Sequence, residues 1–243
     1  MKILAVIPAR YQSQRFPGKP LVMIDQRPMV QWVYEAAKQC AAFDQVVVAT
    51  DDQTIADCVK GFGGVVEMTS SAHETGTDRV AEVAERYPDI DVVVNVQGDQ
   101  PFVTAEMLTQ LVSPYVRGEL PDMTTLACPL EEEGYLDPNT VKVLYDRNGR
   151  ALYFSRSPIP YYRNPISAPV RQHLGLYAFR RDFLSVYSGL ESTPLEQCEG
   201  LEQLRVLEHG FSIQVCHTQH SVIEINTPDD LSKAQSYILQ GTL

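Results

Sequence analysis

The first 24 residues hold Lys2, Arg10, Arg15 and Lys19 and no Asp or Glu, although the whole chain carries a formal charge of −11. Three of those cations fall in the stretch Ile7-Pro8-Ala9-Arg10-Tyr11-Gln12-Ser13-Gln14-Arg15-Phe16-Pro17-Gly18-Lys19-Pro20. A local run of fixed positive charge in an acidic protein suggests a bound anion. Arg offers a planar fork that matches phosphate oxygens, and Lys a compact charge. Gly18 lets backbone come close to a ligand. Pro17 and Pro20 restrict the loop, which lowers the entropy lost when it closes on one. A solvated basic loop has the same composition, and charge alone does not separate the two readings. The stretch is not a P-loop, because Gly18-Lys19 is followed by Pro20 and the required earlier Gly is absent. The G-x-G-x-x-G dinucleotide fingerprint is absent as well.

Two further stretches have the composition of a site. Gln97-Gly98-Asp99-Gln100-Pro101 follows the apolar run Val92 to Val96. An Asp beside a Gly at the end of a buried strand is a common Mg²⁺ ligand; alone it also reads as a polar turn. A cationic loop after a neighbouring strand favours Mg²⁺ plus phosphate. His73-Glu74-Thr75-Gly76-Thr77-Asp78-Arg79 precedes a helical pattern that Thr77 is expected to cap, and its backbone could present donors and acceptors to a base. His217 and His220 have H-x-x-H spacing, which is weak evidence for a metal, and they read as surface residues.

These stretches need elements to position them. Ile3 to Ile7, Val46 to Ala49, a run from Val65 and Val92 to Val96 read as strands apolar on both faces. Between them lie helical patterns from Pro28, from Asp52 to Gly61 and from Thr77 to Tyr87, and another follows from Thr104 to Arg117. That succession predicts a mostly parallel sheet covered by helices on both faces, with ligands beyond the carboxyl ends of its strands. After Pro121 the rhythm changes. Strands are expected at Met123 to Cys128, Val141 to Tyr145, Ala151 to Phe154, His173 to Phe179, Ile213 to Cys216 and Val222 to Ile225. A hairpin turn is expected at Asp146-Arg147-Asn148-Gly149. A helix carries Leu201, Leu204 and Leu207, and a last one runs from Thr227-Pro228 to about Gln240. The fold class expected is therefore α/β: a Rossmann-like core with an inserted antiparallel part.

The bulk numbers bound the class. With 243 residues, 44% apolar and 21% charged, the chain suits one large globular domain. Its acidity argues against a general nucleic-acid or membrane-surface binder. Five cysteines, an odd number with no C-x-x-C pair, read as buried free thiols in a reducing compartment. No run approaches the ~20 apolar residues of a membrane span, and the N-terminal apolar run is too short for a signal peptide. A cytoplasmic location is expected.

In this order, IPARYxSxRFPGKPL, GTDR, VNVQGDQP, ALYFSRSPIP, HLGLYAFR, LEQLRVLE and NTPDDL closely resemble the 3-deoxy-manno-octulosonate cytidylyltransferases, from end to end of the chain. The resemblance implies a nucleotidyltransferase-type fold in one domain. Residues 1–119 would be mainly nucleotide-binding, 120–220 mainly sugar-binding and dimer-forming, and 221–243 a metal loop and helix. It implies the reaction of CTP with 3-deoxy-manno-octulosonic acid (Kdo) to give CMP-Kdo and pyrophosphate, with Mg²⁺, for lipopolysaccharide synthesis, in a homodimer whose interface includes Leu120 to Val143 and the strands after it. By motif position, Arg10, Ser13, Arg15 and Lys19 would hold the triphosphate, and Thr77, Asp78 and Arg79 would lie near cytosine and ribose. Gln97 and Asp99 would sit at the reacting centre, with Asp99 on the metal. Arg156, His173, Tyr177, Glu202 and Gln203 would line the sugar pocket, with Arg156 and His173 as partners for the sugar carboxylate. Read without the resemblance, Glu202 pairs with Arg205 and His173 is a satisfied strand histidine.

The chain departs from the family pattern at four places. Asn226 stands where the family has a metal-binding Asp; it keeps a carbonyl oxygen but removes a negative charge. Weaker metal binding, substitution by Asp229, or an impaired or specialised enzyme would follow. Ser221-Val222-Ile223-Glu224 replaces a Gly-rich approach. Gln100 stands where many members have Glu, and the segment from Pro160 to His173 is short, as in relatives that act on the 8-amino analogue of Kdo, which makes that sugar the alternative acceptor. More distant alternatives are a glycosyltransferase, against which the lack of a D-x-D motif counts, and a protein that binds CTP without turnover.

Overall fold

The computed structural model describes residues 1–12, 16–73, 75–164 and 170–239. The chain divides into two compact units, Met1–Thr109 with Val222–Leu243, and Gln110–Ser221.

In the first unit, β1 (Ile3–Pro8) leads through a 3₁₀ turn, Lys19–Leu21, and a short hairpin, β2 (Met23–Ile24) and β3 (Arg27–Pro28), into α1 (Met29–Gln39). Then come β4 (Gln45–Thr50), α2 (Gln53–Gly61), β5 (Val66–Met68), α3 (Gly76–Glu85) and β6 (Val92–Asn95). The sheet order is β6-β1-β4-β5. All three pairings are parallel, with β1 meeting β4 from Leu4↔Gln45 to Pro8↔Ala49 and β6 from Ile3↔Val92 to Val6↔Asn95. Ile3 to Ile7, Val46 to Ala49 and Val92 to Val94 are all buried. Continuous Val/Ile runs belong where both faces of a parallel sheet are covered. In α1, Met29, Val30, Val33, Tyr34 and Ala37 are the buried residues, the spacing of an amphipathic helix.

Two expectations are corrected here. Thr77 does not cap α3: Thr75 does, accepting from the Asp78 N–H, while Asp78 reaches back to the Thr75 N–H. Thr77 lies inside the helix, where its hydroxyl accepts from Asn95 Nδ2 at 3.1 Å. Val222 to Ile225 forms no strand. Its apolar residues are used differently: Ile225 joins Ile24, Met29, Phe102 and Ala234 in a buried cluster, with Ile223, Phe16, Trp32 and Leu231 against it. The backbone is tied instead by Ile225 N–H donating to the Asp99 carbonyl at 2.9 Å. The C-terminal helix, Pro228–Leu239, follows.

Helix α4 (Ala105–Val116) carries the chain into the second unit. There, β7 (Met123–Pro129), α5 (Glu132–Leu136), β8 (Lys142–Tyr145), β9 (Ala151–Ser155) and β10 (Arg171–Arg180) are followed by α6 (Arg181–Tyr187), α7 (Pro194–Glu199), α8 (Gln203–Glu208) and β11 (Ile213–His217). β7 pairs antiparallel with β10 and parallel with β11. β8 pairs antiparallel with β9 and with β10. The β8–β9 turn is the expected one, closed by Asp146 N–H donating to the Arg150 carbonyl at 2.8 Å. Helices α5, α6 and α7 were not expected: at 5 to 7 residues they are too short to show a helical repeat. Lys142 is fully buried, and its ammonium donates to the carbonyls of Asp137, Thr140 and Arg156 at 2.9, 2.6 and 2.6 Å. Burial holds its pKa below the ordinary lysine value. All five cysteines are free; Cys40, Cys128 and Cys216 are buried, but Cys198 is exposed. Among the described residues, no helix is long and apolar enough to cross a membrane.

Candidate active site

The first unit holds an open cavity of about 230 Å³ beyond the carboxyl ends of β1 and β6. Its cationic lining is Arg10, Lys19 and Arg79, and its carboxylate is Asp99. Pro8, Gln97, Gly98, His73, Thr75 and Asn226 complete much of the wall. Among the described residues, three cations against one carboxylate focus positive potential in an acidic chain, the condition for capturing a polyanion.

Local sequence explains how these side chains arrive. β1 ends at Pro8, so Arg10 emerges at the carboxyl end of the sheet; Ala9 N–H still donates to the Ala49 carbonyl at 2.9 Å. Gly18 has φ 70° and starts the turn that presents Lys19, and its left-handed backbone favours glycine. At the end of β6, a Cβ on Gly98 would lie 2.7 Å from the Pro8 carbonyl oxygen. Glycine there permits the two strand ends, and hence Asp99 and Arg10, to converge. Lys19 Nζ donates to Asp99 Oδ2 at 2.9 Å and to Asn226 Oδ1 at 3.4 Å. Arg79, 3% exposed, is held by Thr69 and by Asp51 at 3.5 Å, so its charge is fixed before any ligand arrives. His73 meets Glu82 at 2.5 Å. Burial alone would raise the Glu82 carboxyl, but the Ser70 N–H, His73 and Arg86 together bring it below the ordinary value.

The cavity thus assembles Arg10, Lys19, Arg79, Gln97, Asp99 and Asn226 of the expected residues. Thr77 and Asp78 are not in its lining; their polar atoms serve Asn95 and the Thr75 cap. Ser13 and Arg15 lie outside the described residues. Asp229 does not line it and is exposed, while Asp230 caps the last helix through the Asn226 and Thr227 N–H groups at 3.1 and 2.9 Å. His73 and Glu224 were given no role from sequence. His73 could have been flagged because it follows a strand like the other site loops. Glu224 accepts from Gln100 Nε2 at 3.1 Å and from Asn226 Nδ2 at 3.3 Å. Desolvation by its neighbours and the charge of Asp99 raise its pKa, against the hydrogen bonds from Gln100 and Asn226 and the charge of Lys19.

The second unit holds Arg156, His173, Tyr177, Glu202 and Gln203. Tyr177 donates to Gln203 Oε1 at 3.0 Å, Gln203 Nε2 lies 3.4 Å from His173 Nδ1, and His173 Nε2 lies 2.9 Å from the Thr125 hydroxyl. Since an amide nitrogen only donates, Nδ1 must accept. Nε2 then carries the proton and donates to Thr125, whose own proton goes to the Leu176 carbonyl at 2.9 Å. Burial pushes the His173 pKa down to about 3. His173 is thus a neutral, doubly engaged strand histidine, as it reads without the resemblance. A register shift in β10 between Leu174 and Tyr177 admits Thr125 to this network, and nothing in the linear pattern signals it. Arg156 is held by the carbonyls of Glu199 and Pro138 at 2.8 and 3.0 Å. Glu202 accepts from Tyr187 at 3.3 Å. Arg205 pairs with Glu196 at 2.6 Å.

Residues 4–214 match the family model described as Cytidylyltransferase. The chain is 72% identical over 242 residues to a protein of Acaryochloris marina named 3-deoxy-manno-octulosonate cytidylyltransferase, covering 99% of each. It is 54% identical to one of that name from Synechococcus elongatus, again covering 99% of each. Among solved structures, CMP:2-keto-3-deoxy-manno-octonic acid synthetase complexed with CTP matches with a TM-score of 0.94 and 41% identity, over 99% of this chain and 100% of that one. A 4-diphosphocytidyl-2C-methyl-D-erythritol synthase from Anaerococcus prevotii, at 16% identity and a TM-score of 0.65, shares the fold.

Proposed function

The chain belongs to the cytidylyltransferase family, and from that premise we propose that it transfers the cytidylyl group of CTP to Kdo, giving CMP-Kdo and pyrophosphate. A Kdo hydroxyl oxygen bonds to the α-phosphorus, the bond to the β-phosphate oxygen breaks, and the hydroxyl proton is released. The observation that carries the reading is Lys19 held between Asp99 and Asn226 in a cation-rich cavity at the strand ends. Such a transfer needs little covalent help, so positioning and charge neutralisation dominate.

In this reading Arg10 and Lys19, with Ser13 and Arg15, hold the triphosphate, and Lys19 neutralises the leaving pyrophosphate. Arg79 lends a fixed charge near the nucleoside. Gln97 orients the reacting phosphate. Thr77 and Asp78 shape the start of α3 beside it. Arg156 receives the sugar carboxylate, and Glu202 accepts from sugar hydroxyls. His173, Gln203 and Tyr177 form the rigid wall of the sugar site.

The donor set fits Mg²⁺. Two hard oxygens, Asp99 Oδ2 and Asn226 Oδ1, already bracket a cationic group, and oxygen ligands are what this ion prefers. When bound, the ion would neutralise phosphate charge and lower the pKa of the attacking hydroxyl. A homodimer is proposed too, supported by the exposed Leu120, Leu136 and Leu152 of the second unit, and sedimentation equilibrium tests it. The product would serve as a donor for lipopolysaccharide assembly.

The test is pyrophosphate release from CTP and Mg²⁺ with Kdo, 8-amino-Kdo and a sialic acid in parallel. Release with Kdo at the highest rate supports the reading. A faster rate with the amino sugar reassigns the acceptor. Silence with all three, in protein that binds CTP, overturns it.

A further inference from the structure

The side chain of Asn226 lies between opposite charges. Its Oδ1 faces the Lys19 ammonium at 3.4 Å, and its Nδ2 donates to Glu224 Oε2 at 3.3 Å. Only one orientation of the amide satisfies both. A flipped amide would set NH₂ against an ammonium and an oxygen against a carboxylate. Glu224 is itself held, because its other oxygen accepts from Gln100 Nε2 at 3.1 Å. Gln100 is 1% exposed and belongs to the same loop as Asp99. The link thus runs from Gln100 through Glu224 to Asn226 and ends at the point where Asp99 and Asn226 bracket a cation.

Resting on the metal site proposed above, we propose that Glu224 is a positioning residue for it. It locks the Asn226 amide with its oxygen toward the cation and supplies the negative charge that a neutral amide lacks. A metal-binding group that donates a hydrogen bond to a carboxylate is fixed in orientation and made a stronger ligand. The arrangement predicts a pairing rule. Asn at 226 works with Glu at 224, whose carboxylate needs a donor. Asp at 226 works with a neutral residue at 224, because two carboxylates 3.3 Å apart repel each other.

The experiment measures Mn²⁺ binding to the full chain by electron paramagnetic resonance, without nucleotide so that phosphates do not compete for the ion. Wild type, Asp99→Asn, Glu224→Gln, Glu224→Ala, Asn226→Asp and the double variant Asn226→Asp/Glu224→Gln are compared, with thermal melts as the check on folding. Glu224→Gln is expected to weaken Mn²⁺ about tenfold, and Glu224→Ala at least as much. Asn226→Asp alone gains nothing, whereas the double variant returns to wild-type affinity or better. A merely structural role for Glu224 would not give that rescue. Wild-type affinity in both Glu224 variants, with Asp99→Asn impaired, overturns the proposal and leaves the metal reading standing. Unchanged binding in Asp99→Asn as well overturns the metal reading itself. Loss of binding in Glu224→Gln without recovery in the double variant also overturns the pairing rule.

Discussion

The cavity wall of the first unit and the histidine network of the second treat polar groups in opposite ways. In the first, Lys19, Arg10 and Asp99 stand at the wall of an open cavity, where Lys19 and Asp99 keep 16% and 26% of their side-chain surface. In the second, Thr125, His173, Gln203 and Lys142 are buried at 8% exposure or less, and each hydrogen-bonds within the protein. Groups of the first kind are cheap to lose for folding and costly for chemistry, since their partner is meant to be a ligand. Groups of the second kind are the reverse, because removing one strands its buried partners.

The largest expected effect tests that contrast directly. Lys19→Ala removes a charge aimed at the leaving phosphates and should lower turnover about 10³-fold, with kcat falling more than KM rises. Its folding stability should change by no more than about 1 kcal/mol, the range for a partly exposed ion pair. A melting temperature that falls as far as in a core variant would break the comparison.

Gln203→Leu is the mirror case. It removes the hydrogen bond from Tyr177 to Gln203 and the one from Gln203 to buried His173, and should cost about 3 kcal/mol in urea unfolding. Acid titration sharpens the same point. The folded pKa of His173 is about 3 and the unfolded value is about 6.5, so within that window the unfolded chain binds the extra proton. Stability is retained above pH 6.5 and falls as pH drops, by about 1.4 kcal/mol per unit. His217, also pushed down by burial, adds to the slope. Carboxylates held low, such as Glu196 and Asp230, contribute only at more acid pH. The slope from pH 6.5 to 4.5 should therefore flatten in His173→Gln. An unchanged slope would mean that His173 is not held neutral.

Much of the first unit was legible in sequence because its signals are local. Doubly apolar runs mark β1, β4 and β6, and the residues just after them, Arg10 and Asp99, line the cavity as the rule for parallel sheets requires. What sequence could not show depends on register and distance. Lys19 meets Asn226 across 207 positions. Thr125 enters the histidine network only through a shift in β10. Val222 to Ile225 has strand composition, but its apolar side chains are used in a cluster with Ile24 and Met29. Glu224 stood out only as part of a departure from a Gly-rich approach, without a role, because its partners Gln100 and Asn226 lie far apart in sequence.

Thr75 joins both kinds of group in one residue, so it gives the smallest and finest test. The residue lines the cavity, yet its side-chain oxygen accepts from the Asp78 N–H at 3.1 Å and its hydroxyl donates to Asp78 Oδ2 at 2.7 Å. Those bonds close a capping box at the start of α3. If the cap is its whole role, Thr75→Ala should cost about 1 kcal/mol of stability and weaken CTP only slightly, while Thr75→Ser restores both. If CTP affinity falls tenfold in the Ala variant at unchanged melting temperature, Thr75 belongs with the ligand-facing groups. The line between the two kinds would then run through α3 itself, whose first turn would be reserved for the nucleotide.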